Sequence, residues 1–192
     1  MAVVDRDRAE RALAEFLMAL GHDADDLRDT PARVTSAFAD ELLSGYGVDV
    51  PRLIEEGSEP TSLHLDPVLV GPIPTHCVCP HHLLIAEGEV SVGYEPGSRV
   101  LGLGTLSRLV AAYSRRLVLQ ETIAGQVVEA LMHHGGAQGA FCRVQLRHAC
   151  LRCRGVRQSH ANTVTWASRG TLLDVERLRL ILGQSDMAPG RE

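Results

Sequence analysis

The chain of 192 residues contains no apolar run approaching the ~20 residues that a bilayer-spanning helix requires. That excludes a helical membrane span. Its first segment, "MAVVDRDRAERALAEF", carries charges where a secretory signal would have its apolar core, so the expected location is the cytoplasm. An excess of positive charge is lacking too. The formal net charge is -5, which argues against a broad electrostatic grip on nucleic acid. There is no internal repeat and no low-complexity segment. What is present is an ordinary globular composition, 45% hydrophobic and 22% charged. The length suits one domain, or one domain with a helical appendage.

Five cysteines stand in the sequence: Cys77, Cys79, Cys142, Cys150 and Cys153. The number is odd, and a reducing compartment disfavours disulfides. Metal binding or catalysis explains them better than a disulfide framework. Arginine is concentrated in "RHACLRCRGVR", which reads as a local anion site within an acidic protein.

Periodicity predicts a helix over residues 6 to 20, with Leu13, Phe16, Leu17 and Leu20 on one face. A second helix opens at "RDTPARV", where Asp29 or Thr30 can cap it and Pro31 suits the first turn. From about residue 61 the pattern turns to strands. "TSLHLDPVLVGPIP" and "LLIAEGEVSVGYEP" are short, β-branched and interrupted by Gly and Pro. Two helices follow, with Leu106, Leu109, Val110, Tyr113 and Leu117 on one face of the first. Ile123, Val127, Val128 and Leu131 line the second. "GAFCRVQLRHAC" and "ANTVTWAS" return to strand character, with Cys142 and Trp166 expected in the core. "LLDVERLRLIL" reads as a closing helix and residues 185–192 as a loose tail. This order predicts an α+β fold, an antiparallel sheet with helices on one face. The expected division is a helical region over 1–60, a sheet-and-helix domain over 61–184 and the tail. A sheet with one covered face often completes its core by association, so an oligomer is expected.

The stretch "CVCPHHLL", residues 77–84, packs two cysteines and two histidines together. Thiolates and imidazoles are the donors zinc prefers. Cys79 and His82 are three residues apart, so one turn can present both to an ion. Cys150 and Cys153 are the candidates for a third ligand. The set Cys79, His82 and Cys150 would leave a fourth position for water, as in catalytic zinc sites. A closed site of Cys77, Cys79, Cys150 and Cys153 is the alternative, although C-x-C is tighter than the usual knuckle. A free cysteine can also be merely a small buried hydrophobe.

At "CPHHLL", "GLGTLSRLV", "RRLVLQETIAGQV" and "RHACLRCRGVR", together with "DTPARVTSAFADELLSGY", the sequence resembles the GTP cyclohydrolase I family. The resemblance covers about residues 29 to 170. It implies the tunnelling fold (T-fold), in which subunits join their sheets into a barrel and two rings stack, usually as a homodecamer with active sites between subunits. It implies Zn2+ held by Cys79, His82 and Cys150. It implies proton transfer by His81 and His148. Substrate contacts fall to Gln120 and Glu121 at the purine edge, and to Arg33, Arg108 and Arg154. The implied reaction opens the imidazole ring of GTP at C8, releases formate and yields 7,8-dihydroneopterin triphosphate.

The sequence departs from the family at four positions. The motif C-E-H-H reads Cys79-Pro80-His81-His82. The Ser-Lys that opens the first helix of the pair is Gly104-Thr105. A lysine three residues beyond Arg33 is Ser36. Two cations are therefore gone from a site for about four negative charges, where each charged contact is worth ~1.5–3 kcal/mol. Arg147, Arg152 and Arg157 lie near enough in sequence to compensate, or are simply solvated. Three functions follow: a cyclohydrolase acting on GTP, a related hydrolase for a guanine nucleotide with fewer phosphates or another purine-like ring, and a non-catalytic zinc-containing homologue.

Overall fold

A computed structural model describes residues 4–22 and 27–173. Of the expected closing helix, which begins at Leu172, only Leu172 and Leu173 are described, in a 3-10 turn (Thr171–Leu173); its remainder and the tail lie outside the described residues.

Helix α1, Arg6–Ala19, begins where the Asp5 carboxylate accepts from the Arg8 N–H. Its main neighbour is α2, Thr30–Ser36. Among the described residues the predicted apolar face is only partly covered: Leu13 and Leu17 are half-buried, whereas Phe16 is 58% and Leu20 59% exposed. Pro31 stands in the first turn of α2 as expected. Asp29 does not cap with its side chain, because its carboxylate accepts instead from Arg33 at 3.1 Å. The helix then widens into a π-helical stretch, Ala37–Leu42, and a 3-10 turn, Ser44–Gly47. A further helix, α3 (Val50–Glu56), follows where no helix was expected. Asp49 accepts from the Arg52 N–H and Pro51 occupies the first turn, which are ordinary helix-start signals.

Two short strands, β1 (Ser58–Pro60) and β4 (Arg99–Leu101), pair with each other. The main sheet is β2 (Val68–Val78), β3 (Ile85–Glu95), β5 (Gly139–His148) and β6 (Thr163–Gly170), antiparallel in the order β2-β3-β5-β6. The first strand begins only at Val68, so residues 61–67 are irregular rather than extended. Helices α4 (Leu103–Ser114) and α5 (Gln120–His133) cover one face of the sheet. Val90, Val92 and Val144 from the strands meet Leu106, Ile123 and Leu131 from the helices, all fully buried. Each such side chain is worth roughly 1.5–3 kcal/mol of burial. Cys142 belongs to this core, and burial pushes its thiol far up. Gly88 is required at the β3–β5 contact, since a Cβ there would lie 2.1 Å from the Gln145 carbonyl oxygen.

On the other face, the 3-10 turn Thr171–Leu173 packs Leu172 on Phe141 and Leu69, and among the described residues the rest of that face is largely open. Glu87 and Arg147 face each other across β3 and β5 at 3.7 Å. Trp166, expected in the core, is 69% exposed. The reason is the period of two along a strand. Its neighbour Thr165 points to α5, where its hydroxyl meets the Gln120 backbone, so Trp166 points the opposite way.

Candidate metal and catalytic site

Strands β2 and β3 are joined by the turn that holds "CPHHLL". The Cys79 carbonyl accepts from the N–H groups of His82 (3.4 Å) and Leu83 (2.9 Å), and the Cys79 N–H donates to the Leu84 carbonyl (2.9 Å). Pro80 occupies the second position of this turn, where a fixed φ near −65° is favourable and no donor is needed. Leu83 takes a left-handed conformation, φ 56°, that redirects the chain into β3. The turn sets Cys79 Sγ 3.6 Å from His82 Nδ1.

The third member comes from the far end of β5. His148, paired with Ala86 of β3, ends that strand, and the short helix α6 (Ala149–Arg152) starts at once. This brings Cys150 back to the turn. The ligand atoms of Cys79, His82 and Cys150 all lie within 4.8 Å of one another. A tetrahedral zinc with ordinary Zn–S and Zn–N bonds separates sulfur from nitrogen by about 3.6 Å, which is the separation seen here. Burial and then the neighbouring Cys79 push the Cys150 thiol up, while Arg154 pulls it down. Two thiolates this close repel unless a cation lies between them. The donor set therefore fits a soft divalent metal, and the Cys-His-Cys group can bind one. The closed all-cysteine alternative is not assembled: the three ligand atoms that converge include His82 and exclude Cys77 and Cys153. Cys77 is buried, and its thiol is pushed up to about 11, mainly by burial.

His148 sits beside this group. Its Nε2 is 2.7 Å from Gln120 Oε1, and burial lowers its pKa while the charge of Glu121 partly restores it. Gln120, the first residue of α5, is only 1% exposed. Its side chain is committed to protein atoms rather than to an open purine site. Glu121 is exposed in the first turn of α5. His81 is exposed, and its ring stands edge-on to His82 at 6.2 Å between centroids.

The arginines are more scattered. Arg108 on α4 lines a groove with Gly57, Glu59, Gly104 and Thr105, and its Nη2 donates to Thr105 Oγ1 at 3.3 Å. Arg154 lies close enough to Cys150 to favour its thiolate. Arg33 is held by Asp29 on α2, and no contact among the described residues links it to the metal group. Of the arginines named as substitutes, Arg147 faces Glu87 and the Arg152 Nε donates to the Ser159 carbonyl. Sequence reading did not foresee the pairing of Gln120 with His148. Nothing in the residue pattern signals it, since the partners are 28 positions apart and meet only through the helix-on-sheet packing.

The profile of GTP cyclohydrolase I matches residues 9–182. The chain belongs to the GTP cyclohydrolase I family. GTP cyclohydrolase 1 of Thermobifida fusca is 39% identical over 194 residues, covering 95% of this chain and 91% of that protein. GTP cyclohydrolase 1 of Campylobacter lari is 36% identical over 176 residues, covering 91% and 92%. Among solved structures, the apo archaeosine synthase QueF-Like matches with a TM-score of 0.42 and 20% identity, over 57% of this chain and 97% of that one; so slight a likeness bears no argument. Within the GTP cyclohydrolase I family the resemblance assigned metal binding to Cys79, His82 and Cys150, and these are the residues the fold draws together.

Proposed function

We propose that this protein is a zinc-dependent GTP cyclohydrolase I that opens the imidazole ring of GTP at C8, releases formate and forms 7,8-dihydroneopterin triphosphate. The observation that carries this reading is the convergence of Cys79, His82 and Cys150 beside His148 in a chain of that family. Those three residues would hold the zinc. Zinc in such a donor set supplies Lewis acidity that brings water within reach of ionisation near neutral pH. His148 and His81 carry protons to and from the opening ring. Glu121, acceptor-only when ionised, accepts from the guanine N1–H and exocyclic amine. Adenine offers no such pair of donors, and leaving a carboxylate unpaired in a closed site is costly. Arg108, Arg154 and Arg33 serve the phosphates, Arg33 from a neighbouring copy if the sites lie between subunits. The assembly we propose is the family's homodecamer, in the cytoplasm.

A second reading, a guanine nucleotide with fewer phosphates, is favoured by one observation. The 19 lysine-or-arginine residues of the chain are all arginine. No lysine can therefore enter the phosphate site, even from another copy of the same chain. Thr105, where the family has its lysine, is 2% exposed and donates its hydroxyl to the Gly57 carbonyl at 3.0 Å. The test is turnover of GTP, GDP, GMP and guanosine by the zinc-loaded protein, reading formate and pterin fluorescence. A clear preference for GTP removes the second reading. Absence of formate with every nucleotide removes both and leaves a non-catalytic homologue.

A further inference from the structure

The hydrogen bonds of Gln120 fix more than its own place. Its Nε2 lies 2.9 Å from the Thr163 carbonyl oxygen and 3.1 Å from that of Val144. Carbonyl oxygens only accept, so this end of the amide must be the NH2 group. A reversed amide would set three oxygens against one another in a buried site. The other end, Oε1, is therefore the atom 2.7 Å from His148 Nε2. It too only accepts, so His148 Nε2 must carry a hydrogen. A neutral imidazole has one N–H, which leaves Nδ1 as a bare acceptor. Nδ1 has no protein partner among the described residues and is not among the buried unpaired atoms.

We infer that Gln120 is a positioning residue that locks His148 in the Nε2–H tautomer, so that Nδ1 is the nitrogen that exchanges a proton with the substrate. The inference rests on the cyclohydrolase reading for the word substrate, but not for the tautomer. The lock is rigid because its far end is the sheet itself. Val144 belongs to β5 and Thr163 opens β6, and the amide bridges their carbonyls at the edge of the ladder. Donation thus runs from His148 through Gln120 to the strand backbone. The side chain of Gln120 has both N–H groups engaged and is sealed from solvent, so it is poorly placed to read a purine edge.

The inference separates two roles for Gln120 that kinetics distinguishes. A residue that grips substrate in ground and transition state alike changes KM, whereas one that sets a catalytic tautomer changes kcat. Magic-angle-spinning 15N NMR of the histidine-labelled, zinc-loaded wild type would read the tautomer at mildly alkaline pH, with His148 assigned by comparison with His148→Gln. We expect a protonated Nε2 and an unprotonated Nδ1. In Gln120→Met, which keeps the shape but removes the acceptor, we expect mixed tautomers. We expect kcat to fall by about tenfold or more, KM to change less than about threefold, and zinc content to be unchanged. A wild-type signal from the Nδ1–H tautomer would overturn the inference. So would a Gln120→Met enzyme with raised KM and intact kcat, or with full activity. If that variant does not fold, the wild-type spectrum still decides. Failure of the wild type to turn over any guanine nucleotide would sink the activity reading and leave the spectrum untouched.

Discussion

Cys150 completes the Cys-His-Cys group from the C-terminal end of β5, distant in sequence from Cys79 and His82, and its loss is not repaired nearby. Cys153, one helical turn on, is exposed and outside the converging set. Cys150→Ala is expected to reduce bound zinc, measured by atomic emission after dialysis, to a small fraction of the wild-type stoichiometry. Formate release should fall with it. Retention of full zinc would mean that Cys153 or water replaces the thiolate. His76 offers a different residue-scale test. Burial lowers its pKa, Arg115 adds to the effect, and Glu41 partly opposes it. A lowered imidazole pKa means the unfolded chain protonates first as pH falls. Stability contributed by the neutral form is thus intact above the ordinary imidazole value, about 6.5, and is lost as pH drops through it toward the folded value. His148 is shifted in the same direction, also by burial. The urea midpoint should fall between about pH 7 and about pH 5, and His76→Gln should flatten that slope. An equal slope in the variant would assign the acid sensitivity elsewhere.

Elements were legible wherever one periodicity ran unbroken. The spacing of Ile123, Val127, Val128 and Leu131 anticipates α5, and all four are fully buried. Thiol and imidazole spacing around Pro80 anticipates the turn that holds Cys79 and His82. Reading failed where a segment's partner was remote. Trp166 has the residue type of a core strand, but the strand's register on α5 turns it outward. Helix α3 was missed because seven residues give too little periodicity, although Asp49 and Pro51 mark its start. The Gln120 amide could not be assigned from sequence, because its acceptors on β5 and β6 exist only after those strands pair. Tyr94 makes a tie of a shorter kind, across seven residues. Its hydroxyl accepts from the Leu101 N–H at 2.7 Å and lies 3.4 Å from the Leu101 carbonyl, joining β3 to β4. Tyr94 is fully buried, so Tyr94→Phe leaves that N–H unpaired. The expected cost is about 1–3 kcal/mol, read from chemical denaturation. A loss within error would show that water or a shifted backbone takes over.

At the scale of the whole molecule, a single chain leaves large apolar side chains exposed among its described residues. Among the described residues, much of one sheet face is open, Phe16 and Leu20 of α1 are exposed, and β2 and β6 are the edge strands of the main sheet. Edge strands of this kind are ready templates for pairing with another copy. Trp166 lies on one of them and is the chain's sole tryptophan. The protein therefore carries a built-in optical gauge of its own association. Indole emission moves to longer wavelength as water reaches the ring. Association through β6 should give blue-shifted emission in concentrated solution and a red shift as dilution separates the copies, in step with the mass from light scattering. A fully hydrated spectrum at every concentration, with the mass unchanged, would place the joining surfaces away from β6.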